Sequence, residues 1–357
     1  MKGALMTEHT ASALSERLFG QSVITMEAAS VWLGQRLGWY SALSEDGPAT
    51  SDQLAMRTGT QPRAVREWLE QQAAAGIVTT HQDGRFELPA GHAEALLDRD
   101  SPNWTEPLVR QIVTAILRLP AIADAYRSGG GVPWQAYGAD MSSAQGDINR
   151  PLLLHVLARD WVPRIPELAD RLAQGARVAD IGCGHGWSAV GLARAYSEIE
   201  IDGFDVDDVA LAAAREHATD AGVADRVRFH HADAATGLSG GPYDVLMAVE
   251  CLHDMPRPVD VLSTMRRAAA PDAVVIVIDE AADPVLAAPA DDIQRLLYGF
   301  SLLICLPDTL SHPGSAATGA VIRPDTLAAY AIAAGFAGAE PLDVSDTGFW
   351  RIYRLGL

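Results

Sequence analysis

His253 and Asp254, within Glu250-Cys251-Leu252-His253-Asp254-Met255-Pro256, are the side chains of this sequence best suited to moving a proton. An imidazole changes charge near neutrality and can act as a general base without special tuning. A second acidic pair, Asp279-Glu280, closes the apolar run Val274-Val275-Ile276-Val277-Ile278, and a carboxylate there would orient the imidazole and stabilise its protonated form. Three more acids, Asp180, Asp205 and Asp233, each follow a short strand-like run. The first leads into Gly182-Cys183-Gly184-His185-Gly186, a backbone bare enough for a ligand to lie against it. Gly184 and Gly186 are two apart, which departs from the dinucleotide pattern, whose last two glycines are three apart. An acid at the strand tip suits a cationic ligand better than a pyrophosphate.

These residues need a scaffold of strands that turn into helices. Val178 to Asp180, Glu200 to Asp205, Arg226 to His231, Tyr243 to Val249 and Val274 to Ile278 read as successive strands with helical patterns between them. Such alternation makes a doubly wound α/β sheet, whose ligands sit outside the carboxyl ends of the strands. Asp205 lies nineteen residues after Gly186, the spacing at which the next strand tip meets ribose hydroxyls. Asp233 falls at the third tip, where it can accept from an adenine amine. The alternating run Phe349 to Arg354 supplies an antiparallel edge strand.

With those strand tips in view, residues 175–357 resemble a class I S-adenosylmethionine-dependent methyltransferase domain. The whole chain is similar to bacterial small-molecule methyltransferases with an N-terminal winged-helix dimerisation domain. The resemblance implies that Asp180, Gly182, Gly184 and Gly186 shape the methionine site. It implies that Asp205 with Val206 holds the ribose, that Asp233 with Ala234 holds the adenine, and that Glu250 lies beside the cofactor. The Leu-His-Asp run resembles that of O-methyltransferases in which histidine deprotonates a hydroxyl, with Met255 where that family usually has tryptophan. Strand alternation lets only one of Asp279 and Glu280 face the site, and the family pattern selects Glu280 as the catalytic partner. Asp254 serves chemistry or caps the following helix.

A second arrangement uses His253 and Asp254 with His312, from Leu310-Ser311-His312-Pro313-Gly314, as two histidines and a carboxylate around a divalent metal. This resembles winged-helix methyltransferases acting on the β-carbon of 2-oxo acids. Tyr298 and Phe300 are candidate walls of the acceptor pocket, as are Trp134 and Tyr137, for which core packing is the plainer reading. Arg323 either pairs with an acceptor carboxylate or opens the helix at Pro324.

Upstream, Thr50-Ser51-Asp52 caps a short helix ended by Gly59, Pro62 opens a second, and Asp83-Gly84 turns a hairpin between Ile77 and Leu88. Helix, helix, hairpin is a winged helix. Residues 51–100 hold five arginines, no lysine and eight acids, and the whole chain carries a net charge of −19. Phosphate binding needs a basic surface, so DNA is a poor partner and the ligand-sensing DNA regulator is the weaker alternative. The division expected is a disordered leader over 1–18, a winged-helix dimerisation domain over 19–98, a helical linker and lid over 99–174, and the methyltransferase domain over 175–357. Cys183, Cys251 and Cys305 form neither a disulfide framework nor a zinc motif, and no apolar run reaches membrane-spanning length. The expectation is a cytoplasmic homodimer acting on a small molecule in secondary metabolism.

Overall fold

The computed structural model describes residues 9–345 and 347–357 and divides into two compact units after Thr114. Helix α1 spans Ala11–Arg36, α2 Trp39–Asp46, α3 Ser51–Thr58 and α4 Pro62–Ala74. Of the leader expected over 1–18, residues 1–8 lie outside the described residues, and Ala11 onward is already helical with Thr10 as its side-chain cap. A capping box joins Thr50 and Gln53 at the start of α3, and Pro62 stands at the start of α4. Both follow from orphan N–H groups at helix starts, which a side-chain oxygen satisfies and a proline does not have.

Val65, Trp68, Leu69 and Gln72 recur at helical spacing on α4 and form its buried face. The Tyr40 hydroxyl donates to Gln72 Oε1 in this core, and Trp39 and Tyr40 pack on the Trp68 ring at 4.8 and 4.9 Å. A Cβ at Gly34 would overlap that ring, which is why α1 crosses α4 at a glycine. Strands β1 (Thr79–Thr80) and β2 (Phe86–Glu87) pair antiparallel as the wing.

The second unit is built on a seven-stranded sheet. Its strands are β3 (Arg177–Ile181), β4 (Glu200–Asp205), β5 (Val227–His231), β6 (Tyr243–Val249), β7 (Ala269–Glu280), β8 (Gly338–Pro341) and β9 (Trp350–Gly356), in the order β5-β4-β3-β6-β7-β9-β8. The strands β3 to β7 pair in parallel, and β9 runs antiparallel to both its neighbours. Alternate residues feed two apolar layers: Val178, Ile201 and Ile276 one, Ala179, Leu246 and Val275 the other. Burial on both faces accounts for the near-continuous apolar runs of the central strands. Strand order reverses between β3 and β6, so the ligand crevice opens beyond Ile181 and Val249.

The segment expected as a linker over 99–174 is not a separate body. From Ala115 it belongs to the second unit, where Ile122, Tyr137 and Met141 share a core with Ile304 and Cys305. A π-helix, Leu152–Trp161, lies against the helix Trp187–Ala195. Gly191 makes that seat, since a Cβ there would run into the Leu153 carbonyl. No helix among the described residues is long and apolar enough to cross a membrane.

Candidate active site

The glycine turn after β3 has three members with different physical duties. Gly182 and Gly186 take positive φ of 68° and 75°, and a Cβ on them would come within 2.7 Å of Cys251 and Phe229 respectively. Gly184 also has positive φ, but a Cβ there would meet nothing within 4 Å. Two glycines thus let protein pack close, and the third leaves an open face for a ligand. Asp205 ties the turn from the tip of β4: its Oδ2 accepts from Gly184 N at 2.7 Å, and its Oδ1 from the Val206 and Asp207 amides at 2.7 and 2.9 Å. Burial pushes this carboxyl up, opposed by those three N–H donors. The Val206 side chain is largely exposed beside it, and Ala234 is buried.

Asp180 is 3% exposed, and its Oδ2 accepts from the Ser188 hydroxyl at 2.5 Å. Oδ1 is buried with no hydrogen-bond partner. Burial pushes the carboxyl up to about 7. An acid short of one partner beside an open glycine face fits the ammonium and sulfonium of S-adenosylmethionine. Asp233, beyond β5, is half-exposed and already engaged by Arg257 Nη2 at 2.7 Å and by the Ala235 amide.

Beyond β6 the chain turns at Glu250, a non-glycine residue at φ 51°. Burial pushes its carboxyl up to about 7, with Asn149 donating to it and Oε2 left without a hydrogen bond. Asn149 comes from the helix Ala139–Pro151, which lies on the glycine turn where Gly146 meets the His185 ring. A one-turn helix, Leu252–Asp254, then carries His253, which is 2% exposed. Its Nδ1 shares a hydrogen bond of 2.5 Å with Asp279 Oδ1, and its backbone N–H donates to Oδ2 of the same carboxylate. Burial pulls the imidazole down, but the Asp254 and Asp279 carboxylates outweigh it and hold the proton well above the usual histidine range.

The structure corrects three expectations. The partner of His253 is Asp279, not Glu280. Asp279, on β7, hydrogen-bonds the histidine of the loop after β6, whereas Glu280 lies close enough to Glu250 and His253 to feel their charges but makes no hydrogen bond through its Oε2. Burial and then the neighbouring Glu250 push Glu280 well above the carboxylate range. Asp254 does not cap the following helix, Pro258–Ala268, which has no side-chain cap; its Oδ1 lies 3.3 Å from His253 Nε2. His312 does not complete a metal set with His253 and Asp254: it is half-exposed, and its near acid is Asp308 at 3.8 Å. Among the described residues the cluster with metal-ligand spacing is His253, Asp254 and Cys305.

The candidate pocket aromatics divide. Tyr137 is core, 1% exposed, donating to the Leu303 carbonyl. Trp134 links the helix Leu306–Leu310 to the helix start after β4, its amide donating to Asp308 and its indole N–H to Asp207. Phe300 packs on the core that holds Ile304. Arg323 is held internally by the Asp283 carbonyl and the Tyr298 hydroxyl, each at 2.9 Å. Sequence reasoning missed Cys305, Asn149 and Arg257. No spacing rule points to them: Cys305 and Asn149 reach the site from helices far along the chain, and Arg257 reaches Asp233 across from another strand's loop.

The comparisons agree with this architecture. A methyltransferase-domain model matches residues 172–297, and an Rv2258c-like winged HTH domain matches residues 25–99. A ubiquinone biosynthesis O-methyltransferase of Aromatoleum aromaticum is 30% identical over 208 residues, covering 57% of this chain and 80% of that protein. In fold, the chain resembles a mitomycin 7-O-methyltransferase with TM-score 0.73, 21% identity, and coverage of 97% and 98%. A neocarzinostatin-pathway O-methyltransferase solved with S-adenosylmethionine and 2-hydroxy-5-methyl naphthoic acid aligns with TM-score 0.64, 21% identity, and coverage of 92% and 95%. The chain belongs to the class I S-adenosylmethionine-dependent methyltransferases, with a winged-helix domain at its N-terminal side.

Proposed function

We propose that the chain methylates a hydroxyl oxygen, phenolic in the first instance, of a small and partly apolar acceptor in secondary metabolism, with His253 as general base. The observation that carries this reading is the buried His253–Asp279 pair, one loop beyond the strand next to the glycine turn. S-adenosylmethionine, when bound, supplies a methyl group already activated as a sulfonium. The chain contributes position and proton handling. Asp180 and Gly184 offer a carboxylate and an open backbone to the methionine part, and Asp205 with Val206 and Asp233 with Ala234 line the nucleoside side. His253 takes the acceptor proton through Nε2, since Nδ1 is committed to Asp279, which also compensates the resulting imidazolium. The similar proteins are O-methyltransferases, and one was solved with a hydroxynaphthoic acid, which supports an aromatic hydroxyl. With His312 outside the His253 cluster, no observation favours the 2-oxo acid reading.

The winged-helix domain serves, in this proposal, to pair two copies in the cytoplasm. Leu14, Leu18, Phe19, Ile24 and Met26 along α1 are each more than half exposed, a long apolar strip for a lone chain to leave in water. The three cysteines are free, which suits a reducing compartment. The test of function is mass spectrometry after incubation with methyl-deuterated S-adenosylmethionine and a panel of phenols and 2-oxo acids. Label on a phenolic oxygen, with turnover reduced about 10²- to 10⁴-fold in His253→Ala, is the expected result. Label next to a keto group, or full turnover in His253→Ala, would overturn the reading.

A further inference from the structure

Cys305 enters the site by a route the methyl-transfer reading does not use. The helix Asp292–Phe300 continues into a π-helical turn, Ser301–Cys305, and then into the helix Leu306–Leu310. Wide turns of this kind recur at functional sites, because they re-aim the side chains that follow. Here the turn delivers a buried thiol, 8% exposed, to the imidazole of His253. One donor atom each from His253, Asp254 and Cys305 lies within 4.8 Å of the others.

We propose that His253 Nε2, an Asp254 carboxylate oxygen and Cys305 Sγ form a three-ligand site for a thiophilic divalent cation, Zn²⁺ in the first instance. Four observations meet there. The donor set is nitrogen, oxygen and sulfur, the mixture zinc takes in sites that keep one position open. Zinc–ligand lengths imply donor separations of about 3.3–3.6 Å in a tetrahedron, and His253 Nε2 to Asp254 Oδ1 is 3.3 Å. Asp279 holds the other ring nitrogen, the carboxylate–histidine arrangement that fixes the tautomer and raises ligand basicity at metal sites. Asp254 Oδ1 is buried with the His253 imidazole as its near partner, while the side chain as a whole is 41% exposed and gives the ion an entry from solvent.

Binding forms three coordinate bonds and releases the thiol proton to solvent, together with the imidazole Nε2 proton when that is present. No electron is transferred. Because ion and proton compete for the nitrogen assigned to the base, a bound ion would switch base chemistry off. The site needs only these four side chains and holds whichever acceptor the enzyme takes.

The test uses the full chain, stripped with chelator and titrated with cobalt(II) chloride, without cofactor or acceptor. One cobalt per chain with a near-ultraviolet thiolate-to-cobalt band is expected. Cys305→Ser should abolish the band, Asp279→Asn should weaken binding about 10- to 100-fold, and His312→Ala should leave both unchanged. Asp254→Asn, at a half-exposed position that the fold tolerates, should weaken binding while keeping the band. Absence of the band in the wild type, its survival in Cys305→Ser, or its loss in His312→Ala overturns the proposal. Cobalt binding as described, with His253→Ala fully active after chelation, would instead sink the base reading and leave the metal site standing.

Discussion

At the scale of the residue, the site is defined by how burial and neighbours set protonation. His253 holds its proton well above the usual imidazole range. In chelator-treated enzyme, kcat/KM should therefore rise with pH along a limb centred above the ordinary histidine value. Asp279→Asn removes one of the negative charges that stabilise the imidazolium, so the limb should move to lower pH, and kcat should fall about 10²-fold or more. A pH–rate profile of the two proteins decides it; an unmoved limb would assign the titration elsewhere. Asp180 behaves in the opposite sense. Burial raises it to about 7, whereas the cation it would face favours the ionised form. Native chain thus holds a proton that the unfolded chain loses near pH 4. Stability from this group falls as pH rises from about 4 toward 7, and cofactor affinity should climb over the upper part of the same window, by at most about tenfold per pH unit. Calorimetric titration at pH 6 and 7.5 checks this, with Asp180→Asn expected to flatten the dependence.

At the scale of the element, legibility followed range in sequence. The strand–glycine–helix turn, the acids at the tips of β3 and β4, and the short capped helices were readable because each depends on neighbours within a few residues. Asp279 against Glu280 was not, because both end one strand and only the loop from β6 decides which of them meets the histidine. Cys305 and Asn149 were invisible for the same reason: their helices approach the site from far along the chain, and the π-helical turn that aims Cys305 carries no periodic signature. Gly191, which no sequence motif marks, is a seat for the π-helix Leu152–Trp161. Gly191→Val should cost about 1–3 kcal/mol or more, since overpacking here meets backbone rather than a yielding side chain. Urea denaturation of the variant measures it, and a loss under about half a kcal/mol would show that the seat relaxes freely.

At the scale of the whole molecule, the exposed apolar strip of α1 is the feature that a single chain does not explain. Charges placed on it should separate a dimer into single chains: Phe19→Glu with Ile24→Glu should halve the mass seen by light scattering, and an unchanged mass would remove α1 from the interface. The acidic balance of the chain argues in the same direction, toward protein and small-molecule partners rather than nucleic acid. The continuous helix through the π-turn Ser301–Cys305 has a different kind of consequence, one of phase. Each residue of an α-helix advances about 100° around the axis, and a π-turn holds one residue more than an α-turn would. Removing a single residue from Ser301–Cys305 would leave an unbroken helix of ordinary geometry, yet everything upstream or downstream would swing by about that angle. Cys305 and Asp308 could not then both keep their bearings on His253 and Trp134, so this stretch tolerates exchange of its side chains far better than a change in their number.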